Sequence, residues 1–427
     1  MTYYTQTLQE TVTFPPLKEN SEADIAILGG GFAGLSAAIE CADRGYSVIL
    51  LEAEHVGWGA SGRNGGQICS GYGADMKDIQ SWIGREEAKK LWTINEEAKS
   101  LIQKRLQRFQ ISCGYAKGNF IAATKSRHMK DLETMAQSWV HEYGYDAIHM
   151  VPRQDVGRHV FTDRYVGGLH DPEAAHLNPL QYCVGLARAA ASLGIKIFEK
   201  SAVTKIDPGS LRAGTAPCLH TAQGSVKARA VLLCGNAHLG RLHPYLRSKI
   251  MPVGTYVAAT EPLTEEQART LLPQNDAVND CRYVLDYYRL SEDNRLIFGG
   301  GVSYSTQAPS NIARSMKRCM LRVFPHLKEI RMENAWGGYV AITQERMPHL
   351  GRLPGDAGSV YFAHGFSGHG VALTGIAGQI LAQALSGELE RLDLFSKVPI
   401  TPFPGGPLLR MPALVLGGLY YRLRDLL

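Results

Sequence analysis

The sequence predicts an α/β protein in which a Rossmann-like dinucleotide-binding domain is interleaved with an α+β domain holding a mixed or antiparallel sheet. Three observations carry this. A short apolar run, Asp24-Ile25-Ala26-Ile27-Leu28, enters the turn Gly29-Gly30-Gly31-Phe32-Ala33-Gly34; a helical pattern, a second run Val48-Ile49-Leu50-Leu51 and the acid Glu52 follow. The next matching strand, residues 228–233, comes only after a stretch too long and irregular for a single crossover, so a second domain is assembled from separate segments. From Met251 the texture turns to strands, until a second strand–glycine-turn–helix appears over 359–386.

Each residue of the first unit has a physical reason. Gly29 permits the tight turn, Gly31 lets backbone approach a pyrophosphate, and Gly34 lets helix and strand pack closely. The first-turn N–H groups at Phe32 and Ala33 point at phosphate, and Glu52 would hold a ribose hydroxyl. A lone glycine turn is a weak signal; with both strands, the helix and the acid it becomes a dinucleotide site. The run Gly57-Trp58-Gly59-Ala60-Ser61-Gly62-Arg63-Asn64-Gly65-Gly66-Gln67 follows at once. Such a run is either a flexible loop or a path that brings backbone close to a ligand, and its place after the acid favours the ligand.

Bulk properties narrow the class. The net charge of +5, from 45 basic and 40 acidic residues, is spread without a basic block, which argues against nucleic acid. The eight cysteines, Cys41, Cys69, Cys113, Cys183, Cys218, Cys234, Cys281 and Cys319, form no C-x-x-C pair and read as reduced. No basic-then-apolar leader opens the chain, and no apolar run reaches the roughly 18 residues of a spanning helix, so a cytoplasmic location is expected.

Along the chain, residues 1–21 form an irregular arm that Tyr3, Tyr4 and Phe14 tack to the body. The dinucleotide domain takes 22–80, 165–250 and 345–400; the second domain takes 81–164 and 251–344. Three- and four-residue apolar spacing predicts helices over 86–109 and 127–143, the latter closed by Gly144. Asn178 caps a helix over 180–193 with Pro179 in its first turn. Strands are expected at 114–124, 195–198, 202–206, 255–260, 284–290, 296–298 and 333–340, with helices at 264–272 and 311–324. After His364-Gly365-Phe366-Ser367-Gly368-His369-Gly370 a helix over 371–386 aims a second positive end at the ligand. In the tail, 401–427, a short amphipathic helix sets Leu416, Leu419, Tyr420, Leu423 and Leu427 against Arg422, Arg424 and Asp425. That stripe fits docking on its own body, on a second copy, or peripherally on a membrane.

The two glycine turns in this order, the acid, and the Ala60–Gln67 run resemble the FAD-dependent amine and amino-acid oxidases of the D-amino-acid-oxidase-like superfamily. The resemblance covers nearly the whole chain. It implies FAD held by Gly29, Gly31, Phe32, Ala33, Gly34, Glu52 and Ala53, by Ala60, Ser61, Gly62, Arg63, Asn64, Gly65, Gly66 and Gln67, and by Val203 and Gly235. Gly338, Gly365, Gly368, His369, Gly370 and Val371 complete the set, with Gln67 and His369 near the flavin ring. Covalent members carry a cysteine at the position matched here by Tyr339, and the nearest, Cys319, lies well before it, so non-covalent FAD is implied. The activity implied is oxidation of the terminal primary amine of gamma-glutamylputrescine to gamma-glutamyl-gamma-aminobutyraldehyde, with ammonia and hydrogen peroxide released, a step of putrescine degradation. The partners implied are that small amine and molecular oxygen, in a monomer or homodimer.

The residues agree with redox chemistry done by a cofactor. There is no H-E-x-x-H, no ligand-spaced cysteine set and no G-x-S-x-G elbow, and His170 and His176 lack a third ligand, so no metal is expected. An amine gives up hydride only when neutral, which an aromatic, partly dry pocket favours. Tyr288 and Trp336 are the candidate walls beside Gln67 and His369, and Arg289 is the candidate at the mouth for a substrate carboxylate. Oxidation of another amine, an N-methyl or D-amino acid, is the alternative; a flavin-binding protein without activity is a remoter one.

Overall fold

The computed structural model describes residues 1–8, 10–240, 242–303, 309–355 and 359–404. The tail helix expected within 401–427 therefore lies outside the described residues, which include only 401–404 of that tail.

Two sheets organise the chain. In the first, Val360–His364, Ser225–Leu233, Ser21–Leu28, Val48–Leu51 and Lys196–Phe198 run parallel in that spatial order, with His349–Arg352 antiparallel at one edge. The apolar runs that read as fully buried strands are so: Val48–Leu51 is buried at every position. The glycine turn follows Ser21–Leu28, and helix Phe32–Asp43 returns across the sheet. Gly34 is obligatory there, because a Cβ would fall 1.9 Å from the carbonyl oxygen of Gly29. Helix Gly370–Leu385 packs beside Phe32–Asp43, and the Ser36 hydroxyl donates to the Gly375 carbonyl at 2.5 Å. This packing brings both helix N-termini to one edge of the sheet.

The second sheet orders Met332–Ile342, Met251–Thr260, Leu296–Ser303, Tyr287–Leu290, Ala277–Asp280, Ala116–Ala123, Gly167–His176 and Gln67–Ile68. Its pairs are antiparallel except Ala277–Asp280 with Ala116–Ala123. Its two faces bury different partners. One packs Tyr288 and Phe298 against Met320 of helix Ile312–Val323 and Phe324 at its end; the other packs Val257, Ile297 and Trp336 against Tyr3, Tyr4, Leu180 and Val184.

Local signals are met closely. Asn178 accepts from the N–H groups of Leu180 and Gln181, Thr264 closes a capping box with Gln267, and Gly144 ends Ser126–Tyr143 at φ +68°. The differences are long-range. Gly167–His176, assigned by sequence to the dinucleotide domain, is a strand of the second sheet. The Asp171-Pro172 pair hides it from a strand pattern, and a register shift opposite Lys117 and Asn119 is what lets proline stand there. Helix Arg85–Arg108, assigned to the second domain, instead covers the first layer, with Arg105 and Arg108 paired to Glu40 and Asp43. The strand expected from Val284 begins only at Tyr287, because Asp280 and Asp286 fold the preceding turn around Arg282. The arm holds a short helix, Tyr3–Gln6, with both tyrosines buried.

Candidate functional site

A cavity of about 410 Å³ opens where the two glycine turns meet. Gly29, Gly31, Phe32 and Ala33 line it from the first turn, and Gly368, Gly370 and Val371 from the second. Two helix N-termini thus face one space, which suits a ligand with a pyrophosphate and a group that gathers negative charge. Glu52 borders it and is held from behind: one carboxylate oxygen accepts from the Gly30 N–H at 2.7 Å, the other from the Glu54 N–H at 2.9 Å. Burial nonetheless raises its pKa. Each oxygen keeps a lone pair for a ribose hydroxyl. Ala53, Ala60, Ser61, Asn64, Val203 and Gly235 complete the lining expected from sequence. Cys234 is the cysteine in this wall, and burial pushes its thiol up to about 12, so it is inert.

The glycine run is braced from three sides. Ser61 Oγ accepts the Phe32 N–H at 3.0 Å, Asn64 donates back to the carbonyls of Ala60 and Ser61, and Tyr4 of the arm donates its hydroxyl to the Asn64 carbonyl at 2.9 Å. A dinucleotide fits this cradle, because its walls offer backbone donors, small residues and, in Glu52, an acid held for a ribose.

A second cavity of about 230 Å³ adjoins the first and shares Trp58, Gly59 and His238 with it. Its own walls are Arg63, Gly254, Tyr256, Ile312, Gly337, Gly338 and Tyr339, with no carboxylate among them. Trp58 and Tyr339 set their rings 5.3 and 6.2 Å from His238. Desolvation, then the nearby Arg63 cation, hold that imidazole below its usual value. Arg63 and Gly338 belong to this second space rather than the first.

Other expected site residues stand behind the walls. Gly34 packs helix to strand, and Gly62, Gly65, Gly66 and Gly365 line neither cavity. Gln67 turns its amide to the Val278 carbonyl at 3.0 Å. His369 caps the second helix while its neighbours Gly368 and Gly370 form the wall; desolvation holds it down to about 4.

The pocket-wall expectations need correction. Tyr288 is fully buried, stacked on Phe298 with its hydroxyl 3.0 Å from that of Tyr165, a core position that lines neither cavity. Trp336 packs edge-on against Tyr4 and donates its indole N–H to the Arg63 carbonyl at 2.9 Å, so it supports a wall without being one. Arg289 is buried as a clamp on the Gly65 carbonyl, not at any mouth. The aromatic walls are Trp58, Tyr256 and Tyr339. Of these, Tyr339 was in view from the sequence, as the match to the cysteine position of covalent members; Trp58 stood unremarked in the glycine run, and Tyr256 carried no signal.

The histidine pair also separates. His176 turns Nε2 to the Asn275 carbonyl at 2.7 Å, whereas His170 joins His159 around Asp276, with nitrogen–carboxylate distances of 3.3 and 2.7 Å. Burial would raise the Asp276 carboxyl, but these two bonds hold it below its usual value. This donor set closes on itself as a hydrogen-bonded triad.

Among the described residues, no single helix is long and apolar enough to cross a membrane. A family model described as FAD dependent oxidoreductase matches residues 24–384. The chain is 39% identical over 424 residues to the gamma-glutamylputrescine oxidoreductase of Escherichia coli, covering 99% of this chain and 97% of that protein. It is 37% identical over 427 residues to a probable oxidoreductase, OrdL, of Haemophilus influenzae, with 99% and 96% covered. Its fold matches the crystal structure of glycine oxidase from Geobacillus kaustophilus with a TM-score of 0.73 at 19% identity, over 90% of this chain and 100% of that one. The chain therefore belongs to the DAO family of FAD-dependent oxidoreductases, in the branch that contains gamma-glutamylputrescine oxidoreductase.

Proposed function

We propose that this enzyme oxidises the terminal primary amine of gamma-glutamylputrescine with molecular oxygen and water, giving the aldehyde, ammonia and hydrogen peroxide. The observation that carries this reading is the near-complete coverage at 39% identity with the E. coli gamma-glutamylputrescine oxidoreductase. The aromatic cavity beside the cofactor space supports it.

FAD supplies hydride acceptance from the amine carbon and electron delivery to oxygen; the rest falls to side chains. Glu52 would hold the cofactor's ribose, and the two helix N-termini would favour its pyrophosphate and the negative charge it gathers. Trp58, Tyr256 and Tyr339 desolvate the incoming amine, which lowers its pKa toward the neutral, reactive form. A wall without carboxylates leaves the ammonium form no counter-ion. The neutral imidazole of His238, at the border of both cavities, offers the acceptor for the amine proton. Gln67 and His369 fix the ends of the two loops that would face the flavin.

Oxygen-electrode rates at pH 8 for gamma-glutamylputrescine, putrescine, sarcosine and D-alanine test this. Putrescine lacks the glutamyl end and should lose about 10²-fold in kcat/KM through lost remote binding energy. Fastest turnover of sarcosine or D-alanine would sink the substrate while leaving the flavoenzyme standing.

A further inference from the structure

Arg63 is the charged group of the second cavity, and its position is unusual for a surface arginine. Its Nε donates to the Trp58 carbonyl at 2.6 Å and Nη1 to the Gly337 carbonyl at 3.2 Å, while the guanidinium carbon lies 5.1 Å from the Trp58 ring centroid. Two carbonyls and an indole face fix the fork, yet no carboxylate neutralises it among the described residues; burial alone lowers its pKa. The opposite sheet holds its backbone too, through the Trp336 indole. A rigid, uncompensated guanidinium in an aromatic wall is costly unless a ligand supplies the anion. The imidazole of His238 is held toward neutrality, so Arg63 is the positive charge among the described lining residues.

We propose that Arg63 is the specificity-determining anchor for the substrate's distal carboxylate. The inference rests on the amine-oxidase reading above and goes beyond it by fixing which end of the substrate enters first. The α-carboxylate pairs with Arg63, and the amide and butyl chain run along Tyr256 and Tyr339 and carry the amine toward the first cavity. An unacylated diamine brings a second cation to Arg63 and is repelled. The alternative role for this side chain is a brace between the glycine run and the sheet, which would serve every amine equally.

The test compares holoenzyme, R63Q and R63K on gamma-glutamylputrescine and on N-acetylputrescine, which keeps the amide and amine but lacks the carboxylate. R63Q should lose roughly 10- to 100-fold in kcat/KM on the glutamyl substrate, mainly through KM, and less than about threefold on the acetyl one. R63K should fall between, since a point charge replaces a fork. Equal losses on both substrates would make Arg63 a brace and overturn the proposal. A readout without turnover separates this from failure of the substrate assignment. L-glutamine carries the same α-carboxylate and γ-amide, and its binding is followed by the flavin difference spectrum. Its Kd should rise about tenfold in R63Q and rise with salt in the wild type. If R63Q does not retain FAD, the wild-type salt series decides, and a salt-independent Kd overturns the proposal. If glutamine binds as expected but gamma-glutamylputrescine is not oxidised, the anchor stands and the substrate reading falls.

Discussion

The buried guanidinium of Arg289 donates from Nε to the carbonyl oxygen of Gly65 at 2.6 Å, tying the middle of the second sheet to the loop that borders the cofactor cavity. Its other nitrogens reach the Leu290 carbonyl at 2.9 Å and the Tyr4 hydroxyl at 3.3 Å. Sheet, loop and N-terminal arm therefore meet at one side chain. Arg289→Met would leave buried acceptors unpaired and should cost on the order of 2–4 kcal/mol. Because the loop borders the FAD space, the variant's melting temperature should also rise more slowly with added FAD than that of the wild type. A wild-type melting curve would show that the clamp is idle.

Tyr287 fills the gap that two glycines leave. A Cβ on Gly299 would lie 2.1 Å from its ring, and one on Gly65 2.6 Å. Gly299→Ala should destabilise by about 1–3 kcal/mol through overpacking. Shrinking the ring with Tyr287→Leu should make the alanine cheaper, so the double variant is more stable than the sum of the singles predicts. Strict additivity in chemical denaturation would contradict this packing.

Glu52→Gln retains one acceptor oxygen where two backbone N–H groups now find one each. One donor loses its partner and the ribose loses a charged acceptor. FAD affinity, measured by quenching of flavin fluorescence, should fall about 10- to 100-fold. Retained affinity would mean that the ribose is held elsewhere.

Acid should weaken the fold through His349 and His364, whose rings share a hydrogen bond of 2.8 Å inside the first sheet. Burial, then Lys249, holds His349 down to about 3; burial, then His349, holds His364 well below its usual value. Both stay neutral in the fold, whereas the unfolded chain takes up protons below about pH 6.5. Stability is thus full above that pH and is lost as pH falls toward the folded values, at about 1.4 kcal/mol per pH unit per imidazole. His349→Gln keeps a partner for His364 but does not titrate, so its urea midpoint should fall less steeply between about pH 6 and 4.5. Equal slopes would exclude this pair as the acid-sensitive element.

The sequence by itself determined the local devices. The glycine turn, the acid, the buried strand runs and the caps at Asn178 and Gly144 each depend on residues a few positions apart, where spacing and side-chain chemistry suffice. It also brought nearly half of the larger cavity's lining into view, because both glycine turns carry their function in backbone. Tertiary structure decided what each side chain of the second sheet faces. Tyr287 and Tyr288 are adjacent and point to opposite faces, so pattern alone could not say which one packs beneath helix Ile312–Val323, and a one-residue slip reverses the answer. It decided that Gly167–His176 joins the second sheet despite its proline, because the partner strand and the register shift that tolerate it lie far away in the chain. It also gathered Trp58, Arg63, His238, Tyr256 and Tyr339 around one small space. They come from segments with no shared periodicity, and only the packing of the two sheets against the glycine run makes them neighbours.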